Sequence, residues 1–259
     1  MNQNHHRLFY KIIGEGEPII ILHGFLGSSD NWMSFAKEMA KNQMVILLDL
    51  QNHGRSFHVS RFTYEKAAED VKQFMEEHWI HHAHILGHSM GGKVAMKLAE
   101  MEPDSIDHLI VVDITPFKYP GGHENILDSL ISVNIESTDS RKLIEENLLH
   151  NINDPAVVSF LMKNLKRLKT GGFQWKMNLP VLHESYPEIL KSLNLDRIDH
   201  PTLFIRGENS GYIPLEKESE LRKIFSKMQL VTIKDSGHWV HSDQPGLLLS
   251  EVRRFLSSK

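Results

Sequence analysis

Ser89 stands at the centre of Gly87-His88-Ser89-Met90-Gly91, a serine between small residues of the kind that nucleophilic catalysis requires. The apolar run Ala83-His84-Ile85-Leu86 before it reads as a strand, and residues 90–101, apolar every three or four positions, read as a helix. A tight turn between the two would lift the hydroxyl above the edge of a sheet. Glycines are needed there because side chains would collide with neighbouring backbone. A serine that only caps a helix is the plainer alternative, and the strand–turn–helix context weighs against it.

A serine hydroxyl is a poor nucleophile at neutral pH and needs a general base, oriented by a third group. In strand–turn–helix folds of this kind the chain order is serine, acid, histidine. Of the 17 histidines, His238 in Ser236-Gly237-His238-Trp239 follows the last expected strand and is the candidate base. The acid is less direct. The turn Gly207-Glu208-Asn209-Ser210 has a serine where a carboxylate is usual, while Asp113 ends the preceding strand. Either Asp113 or Glu208 could reach His238. Asp113 is preferred, because triad roles are set by geometry rather than by position along the chain. Asp235 lies too close to His238 in the loop.

His23-Gly24-Phe25-Leu26-Gly27 ends an early strand, where a second oxyanion donor is expected, so the backbone N–H groups of Phe25 and Met90 are the candidate pair. His23 is expected to brace this loop. His23, Gly24, His88 and Trp239 are expected to border the substrate. Phe160, Met162, Phe173, Trp175 and Met177 are candidates for an acyl pocket, although half or more of them should be ordinary core. Asn52-His53-Gly54-Arg55-Ser56 reads as a structural turn. His81, His82 and His84 have no carboxylate or cysteine at ligand spacing, so no metal is expected, and triad chemistry calls for no cofactor.

The elements that must position these groups alternate. Ile19-Ile20-Ile21-Leu22, Val45-Ile46-Leu47-Leu48, Leu109-Ile110-Val111-Val112, Thr202-Leu203-Phe204-Ile205 and Leu230-Val231-Thr232-Ile233 join 83–86 as buried strands, with an irregular edge around 8–13. Helical periodicity covers 32–40, 64–79 and 90–101. The alternation breaks from 116 to 199, where helical segments over 124–133, 141–150 and 155–168 occur without a convincing strand. The expected architecture is α/β, a mostly parallel sheet with helices on both faces, its core in residues 1–115 and 200–259 and a helical cap inserted at 116–199.

Composition narrows the partners. A net charge of −4 without a long basic run gives nucleic-acid binding no electrostatic support. The absence of cysteine removes disulfides and thiol catalysis and fits a cytoplasmic location. Residues 1–7 are polar, unlike a signal peptide, and no run approaches the roughly 18 apolar residues of a membrane span. The partner is therefore expected to be a small molecule. Monomer and homodimer are equally open.

With these motifs assembled the chain resembles the α/β-hydrolase superfamily over nearly its whole length, and more narrowly the bacterial YbfF-type esterases and their mitochondrial relatives. The matching stretches are Leu22 to Ser28, Asn52-His53-Gly54, Gly87 to Lys93, Val112-Asp113-Ile114, Gly237 to His241, Asn178 to Leu182 and the Asn209-Ser210 turn. The resemblance implies Asp113 as the triad acid and small acyl esters, or thioesters, as substrates. Gln51 departs from it, since relatives usually have arginine there. Menaquinone-pathway lyases have a similar serine turn but keep an aspartate where Ser210 stands. A non-catalytic ligand-binding protein on the same fold is a third possibility. Haloalkane dehalogenases and epoxide hydrolases require aspartate in place of Ser89.

Overall fold

The computed structural model describes residues 7–257. In chain order the first half gives β1 (Tyr10–Ile13), β2 (Pro18–Leu22), α1 (Met33–Met39), β3 (Met44–Leu48), α2 (Tyr64–Glu77), β4 (Ala83–His88), α3 (Met90–Met101) and β5 (Ile106–Val112). Then come α4 (Glu124–Ser132), α5 (Arg141–Ile152), α6 (Pro155–Met162), β6 (Leu165–Arg167), β7 (Phe173–Trp175), α7 (Leu179–Glu184) and α8 (Tyr186–Leu190). β8 (Ile198–Gly207), α9 (Glu218–Ile224), β9 (Phe225–Ile233), α10 (Val240–Asp243) and α11 (Pro245–Leu256) complete the chain.

Seven strands form one sheet in the order β1-β3-β2-β4-β5-β8-β9, parallel throughout except for the antiparallel edge strand β1. Continuous apolar runs suit such strands because both faces are covered. Alternate residues serve opposite cores: Ile20 and Leu22 pack with Val94 and Leu98 of α3, whereas Ile19 and Ile21 pack with Phe35 of α1 and Val252 of α11. Helix α2 begins where the Thr63 side chain accepts the Lys66 N–H at 3.2 Å. It ends at Glu77, two residues short of the sequence expectation. Trp79 adopts a left-handed backbone (φ 56°), and Ile80 N–H donates to Met75 O at 2.9 Å, closing a Schellman-type cap.

The stretch 116–199 differs from expectation in two respects. It contains a β6–β7 antiparallel pair, and α6 stops at Met162 instead of running on to 168. Buried Asn164 donates from Nδ2 to Leu26 O at 2.7 Å, which a continuing helix would not present in this way. The hairpin turn uses Gly171 and Gly172, both at positive φ. That Gly-Gly pair is a turn signal, and it outweighs the apolar periodicity around it.

Candidate active site

Because β2, β4, β5, β8 and β9 run in parallel, their carboxyl ends lie along one sheet edge, the usual place for ligands in open α/β sheets. The loops leaving that edge hold His23-Gly24-Phe25, Ser89, Asp113, Ser210 and His238, each within a few residues of its strand end. Register sets the spacing. His88 of β4 pairs with Val112 of β5, so Ser89 and Asp113 leave adjacent strands side by side.

Ser89 has φ 51° and ψ −121°, a conformation that L-residues avoid. Ser89 N–H donates to Val112 O at 3.0 Å, and the turn closes onto α3 through Gly92 N–H to Ser89 O at 2.8 Å. A Cβ on Gly87 would overlap the Gly91 carbonyl, and one on Gly91 would overlap those of Leu22 and His23. The glycines are therefore a packing requirement of this turn.

The Ser89 hydroxyl lies 3.0 Å from His238 Nε2, and His238 Nδ1 lies 2.8 Å from Asp113 Oδ2. The tautomer that satisfies both contacts has Nδ1–H donating to Asp113 and Nε2 accepting from Ser89. Asp113 is fully buried. Its Oδ1 accepts Gly207 N–H at 3.0 Å, and its Oδ2 also accepts the Ser210 hydroxyl, which in turn accepts Tyr212 N–H at 3.3 Å. The serine at the position usually held by a carboxylate thus orients the carboxylate from the neighbouring strand. Glu208 is exposed and its side chain accepts Asp235 N–H at 3.0 Å, away from His238. Tyr212 stacks on the His238 ring, with centroids 3.9 Å apart and planes at 21°. That contact had no signal in the sequence beyond proximity to Ser210.

Phe25 lies within the tight turn Gly24-Phe25-Leu26-Gly27, which is closed by Gly27 N–H to Gly24 O at 3.0 Å. Among the described residues, the N–H groups of Phe25 and Met90 have no hydrogen-bond partner within the protein. His23 Nδ1–H donates to Gly24 O at 2.8 Å while its Nε2 accepts Leu50 N–H at 3.0 Å, so both ring nitrogens are spent on backbone. His53 does the same for the next residue: Nδ1–H donates to Gln51 O at 2.9 Å and Nε2 accepts Leu26 N–H at 3.3 Å. His88 Nε2–H donates to His238 O at 2.8 Å, fixing the loop that holds His238. Burial lowers the pKa of His23, holds that of His88 well below the usual histidine range, and pushes His53 and His241 down to about 3. These rings are neutral braces.

The cleft above Ser89 has an empty volume of about 470 Å³, part of it open to solvent, and is bordered by His23, Gly24, Phe25, His88 and Trp239. Its far wall comes from the 116–199 segment, through Ile126, Val157, Phe160 and Leu161. Of the five cap residues singled out in the sequence, only Phe160 lines this cleft. Met162, Phe173 and Met177 are buried in the core and Trp175 packs against it. His123 also lines the cleft and was not distinguishable among so many histidines.

The histidine group at the start of β4 meets carboxylates from other elements: His84 Nε2 lies 3.6 Å from Glu17 and His82 lies 3.8 Å from Asp107. Among the described residues no three metal-ligating side chains are arranged to hold an ion. Among them, too, no helix is long and apolar enough to cross a membrane.

The α/β-hydrolase-fold family profile matches residues 17–245, and the chain belongs to that family. Two relatives place it among the ester-hydrolysing members. Esterase YbfF of Escherichia coli is 32% identical over 241 residues, covering 93% of each chain. The mouse sn-1-specific diacylglycerol lipase ABHD11 is 34% identical, covering 92% of this chain and 80% of its own. Among solved structures, a marine microorganism esterase superposes with a TM-score of 0.94 at 37% identity, over 96% of this chain and 99% of that one. The protein is an ester-bond hydrolase.

Proposed function

We propose that this protein is a serine carboxylesterase in which Ser89 is the nucleophile, His238 the general base and Asp113 the triad acid, and that it cleaves small acyl esters of short to medium chain length. The observation that carries this reading is the continuous chain from Ser89 Oγ through His238 to Asp113, at 3.0 and 2.8 Å, opening on a cleft with an apolar wall. Ser89 Oγ attacks the ester carbonyl as its proton passes to His238 Nε2. The tetrahedral oxyanion takes hydrogen bonds from Phe25 and Met90 N–H, and each such donor contributes about 3 kcal/mol to transition-state stabilisation. His238 returns the proton to the departing alkoxide, then deprotonates the water that releases the acid. Asp113 keeps Nδ1–H in place and stabilises the imidazolium.

Residues 116–199 act as a cap whose apolar side chains receive the acyl chain. Ile126, Val157, Phe160 and Leu161 form the apolar wall for that chain, and a diacylglycerol, the substrate in the name of the mouse relative, is the larger ester against which short and medium chains are compared. Thioesters share the same acyl-enzyme and are the second substrate class to assay. Ser89→Ala should lower turnover on the order of a million-fold and abolish labelling by a fluorophosphonate. Activity retained by that variant overturns the mechanism. A chain-length series of para-nitrophenyl esters and acyl-CoA thioesters should show a sharp upper cutoff, and a flat series would remove the cap from the account of specificity.

A further inference from the structure

His123 lies just before α4, on the cap side of the cleft that contains Ser89 and His238. Its backbone N–H donates to the Tyr186 hydroxyl at 3.0 Å, and its Nδ1 lies 3.2 Å from the same oxygen. The hydroxyl has one proton to give, and Nδ1 is the acceptor within reach of it. If Nδ1 held the hydrogen instead, the tyrosine O–H would have no acceptor among the described residues. The ring is therefore the Nε2–H tautomer. Its orientation is held by an edge contact to Phe25, with centroids 5.7 Å apart and planes at 88°, while Phe25 stacks on Tyr186 at 5.5 Å. Among the described residues Nε2 has no hydrogen-bond partner, yet it is not a sealed-off buried atom. The other cap-side residues of the cleft, Ile126, Val157, Phe160 and Leu161, are apolar and offer it no partner.

We propose that His123 is a specificity-determining residue whose Nε2–H donates to a neutral oxygen of the substrate lying outside the ester that is cleaved. This rests on the hydrolase reading above and names the substrate class within it: acyl esters with an ether, hydroxyl, ketone or second ester oxygen in the chain. Burial, followed by the nearby His238, pushes the His123 pKa down to about 4, so at neutral pH the ring offers a dipolar donor and favours neutral oxygens over carboxylates. An all-carbon chain would strip water from Nε2–H and replace it with nothing. A buried donor left unpaired in this way discriminates by about ten- to a hundredfold.

The test uses para-nitrophenyl hexanoate and its equal-length ether analogues, the propoxyacetate, ethoxypropanoate and methoxybutanoate, which move one oxygen along the chain. The readout is the ratio of kcat/KM for each ether ester to that for hexanoate, compared between enzyme variants so that intrinsic reactivity cancels. In His123→Phe the ratio for the best-placed oxygen should fall about tenfold. His123→Gln, which keeps an N–H donor, should restore part of it. Tyr186→Phe, which keeps the ring but frees its tautomer, should lose part of it. If His123→Phe does not fold, as judged by its thermal melt, His123→Leu and Tyr186→Phe give the same reading. Ratios unchanged at every oxygen position, or turnover falling in equal proportion on all four esters, would mean that His123 only braces the cap and would overturn the proposal. Loss of a different kind marks failure of the hydrolase reading itself: wild-type protein that turns over none of the esters and takes no fluorophosphonate label.

Discussion

Replacing Asp113 by asparagine should lower kcat by about ten-thousandfold, the loss that the same exchange produces in other Ser-His-Asp triads, or about 5.5 kcal/mol of barrier. The surroundings of the carboxylate explain why the wrong tautomer should dominate and account for part of that loss. Oδ1 accepts Gly207 N–H at 3.0 Å and Oδ2 accepts His238 Nδ1–H at 2.8 Å. Asparagine offers one acceptor and one donor in their place. Gly207 N–H can only donate, so the amide oxygen must face it and the NH2 group must face His238. His238 then accepts at Nδ1 and has its proton on Nε2, pointing at the Ser89 hydroxyl it should deprotonate. Turning the amide over would set two donors against each other in a fully buried site, at about 1–3 kcal/mol. The wrong tautomer is therefore favoured roughly ten- to a hundredfold on hydrogen bonding alone.

The assay is initial-rate hydrolysis of para-nitrophenyl butyrate, with a thermal melt to confirm folding. Glu208→Gln is the control. That side chain is exposed and bonds Asp235 N–H, so activity should stay within about twofold of wild type, as for surface changes that touch no critical contact. The reasoning is refuted if Asp113→Asn keeps more than about a tenth of the activity, or if Glu208→Gln falls as far.

Three further outcomes follow from the same structure. His23, His53, His88, His123 and His241 have their pKa values lowered by burial, so below pH 6.5 the unfolded chain takes up protons first and stability falls with pH; at pH 5 His53, His123 and His241 alone remove on the order of 6 kcal/mol, comparable to a whole domain's stability, and His23 and His88 act in the same direction. Circular dichroism should find the acid transition near pH 5, and a native signal persisting at pH 4 would contradict it. Lys93 is buried with its pKa down to about 7, donating to Lys191 O between the Tyr64 and Tyr119 rings, so from about pH 10 down to 7 only the unfolded chain gains its proton and wild-type stability rises with pH in that window. Measured by urea unfolding, the wild type should gain about 2–3 kcal/mol relative to Lys93→Met between pH 7 and 9.5, and a constant difference would refute the assignment. In Gly24→Ala the new Cβ would sit 2.8 Å from His88 Nδ1 and 3.2 Å from Ser89 Cβ, displacing the loop that presents Phe25 N–H; kcat should drop about a hundredfold while the melting temperature changes little, and unaltered kcat would count against the oxyanion assignment.

Some of this was legible in the sequence because it is local. Buried parallel strands are continuous apolar runs, and the serine turn has its glycines within two residues. The contact between Asp113 and His238 is not local. It depends on β5 lying between β4 and β8, and on the β4–β5 register that aligns His88 with Val112. Sequence reasoning reached Asp113 by noticing what Ser210 lacks, and could not foresee that the Ser210 hydroxyl would bond that very carboxylate. The cap was least legible, because an apolar residue three or four positions from another can face the core or the cleft with the same pattern. Phe160 faces the cleft while Met162, two residues on, is core. The Gly171-Gly172 turn was readable and was masked by the apolar segment before it.

The site contains strained backbone, and the strain has identifiable supports. Leu26, Ser89 and Asp113 are all non-glycine residues at positive φ, and each costs on the order of 1–3 kcal/mol. They sit on the three loops that leave the adjacent strands β2, β4 and β5. Each has its N–H tied to a fixed acceptor: Leu26 to the His53 ring, Ser89 to Val112 O, and Asp113 to Ile205 O. Two of those acceptors are strand carbonyls, Val112 at the end of β5 and Ile205 near the end of β8, so the sheet itself holds Ser89 and Asp113 in place. The third is a histidine whose Nε2 must stay unprotonated to accept, which burial ensures. Protonating His53 would turn its acceptor into a donor facing Leu26 N–H and release the loop that presents Phe25. The neutral histidines thus do more than fill space: acid should loosen the oxyanion loop by the same titration that destabilises the fold, and the serine's surroundings should be lost with the protein rather than before it.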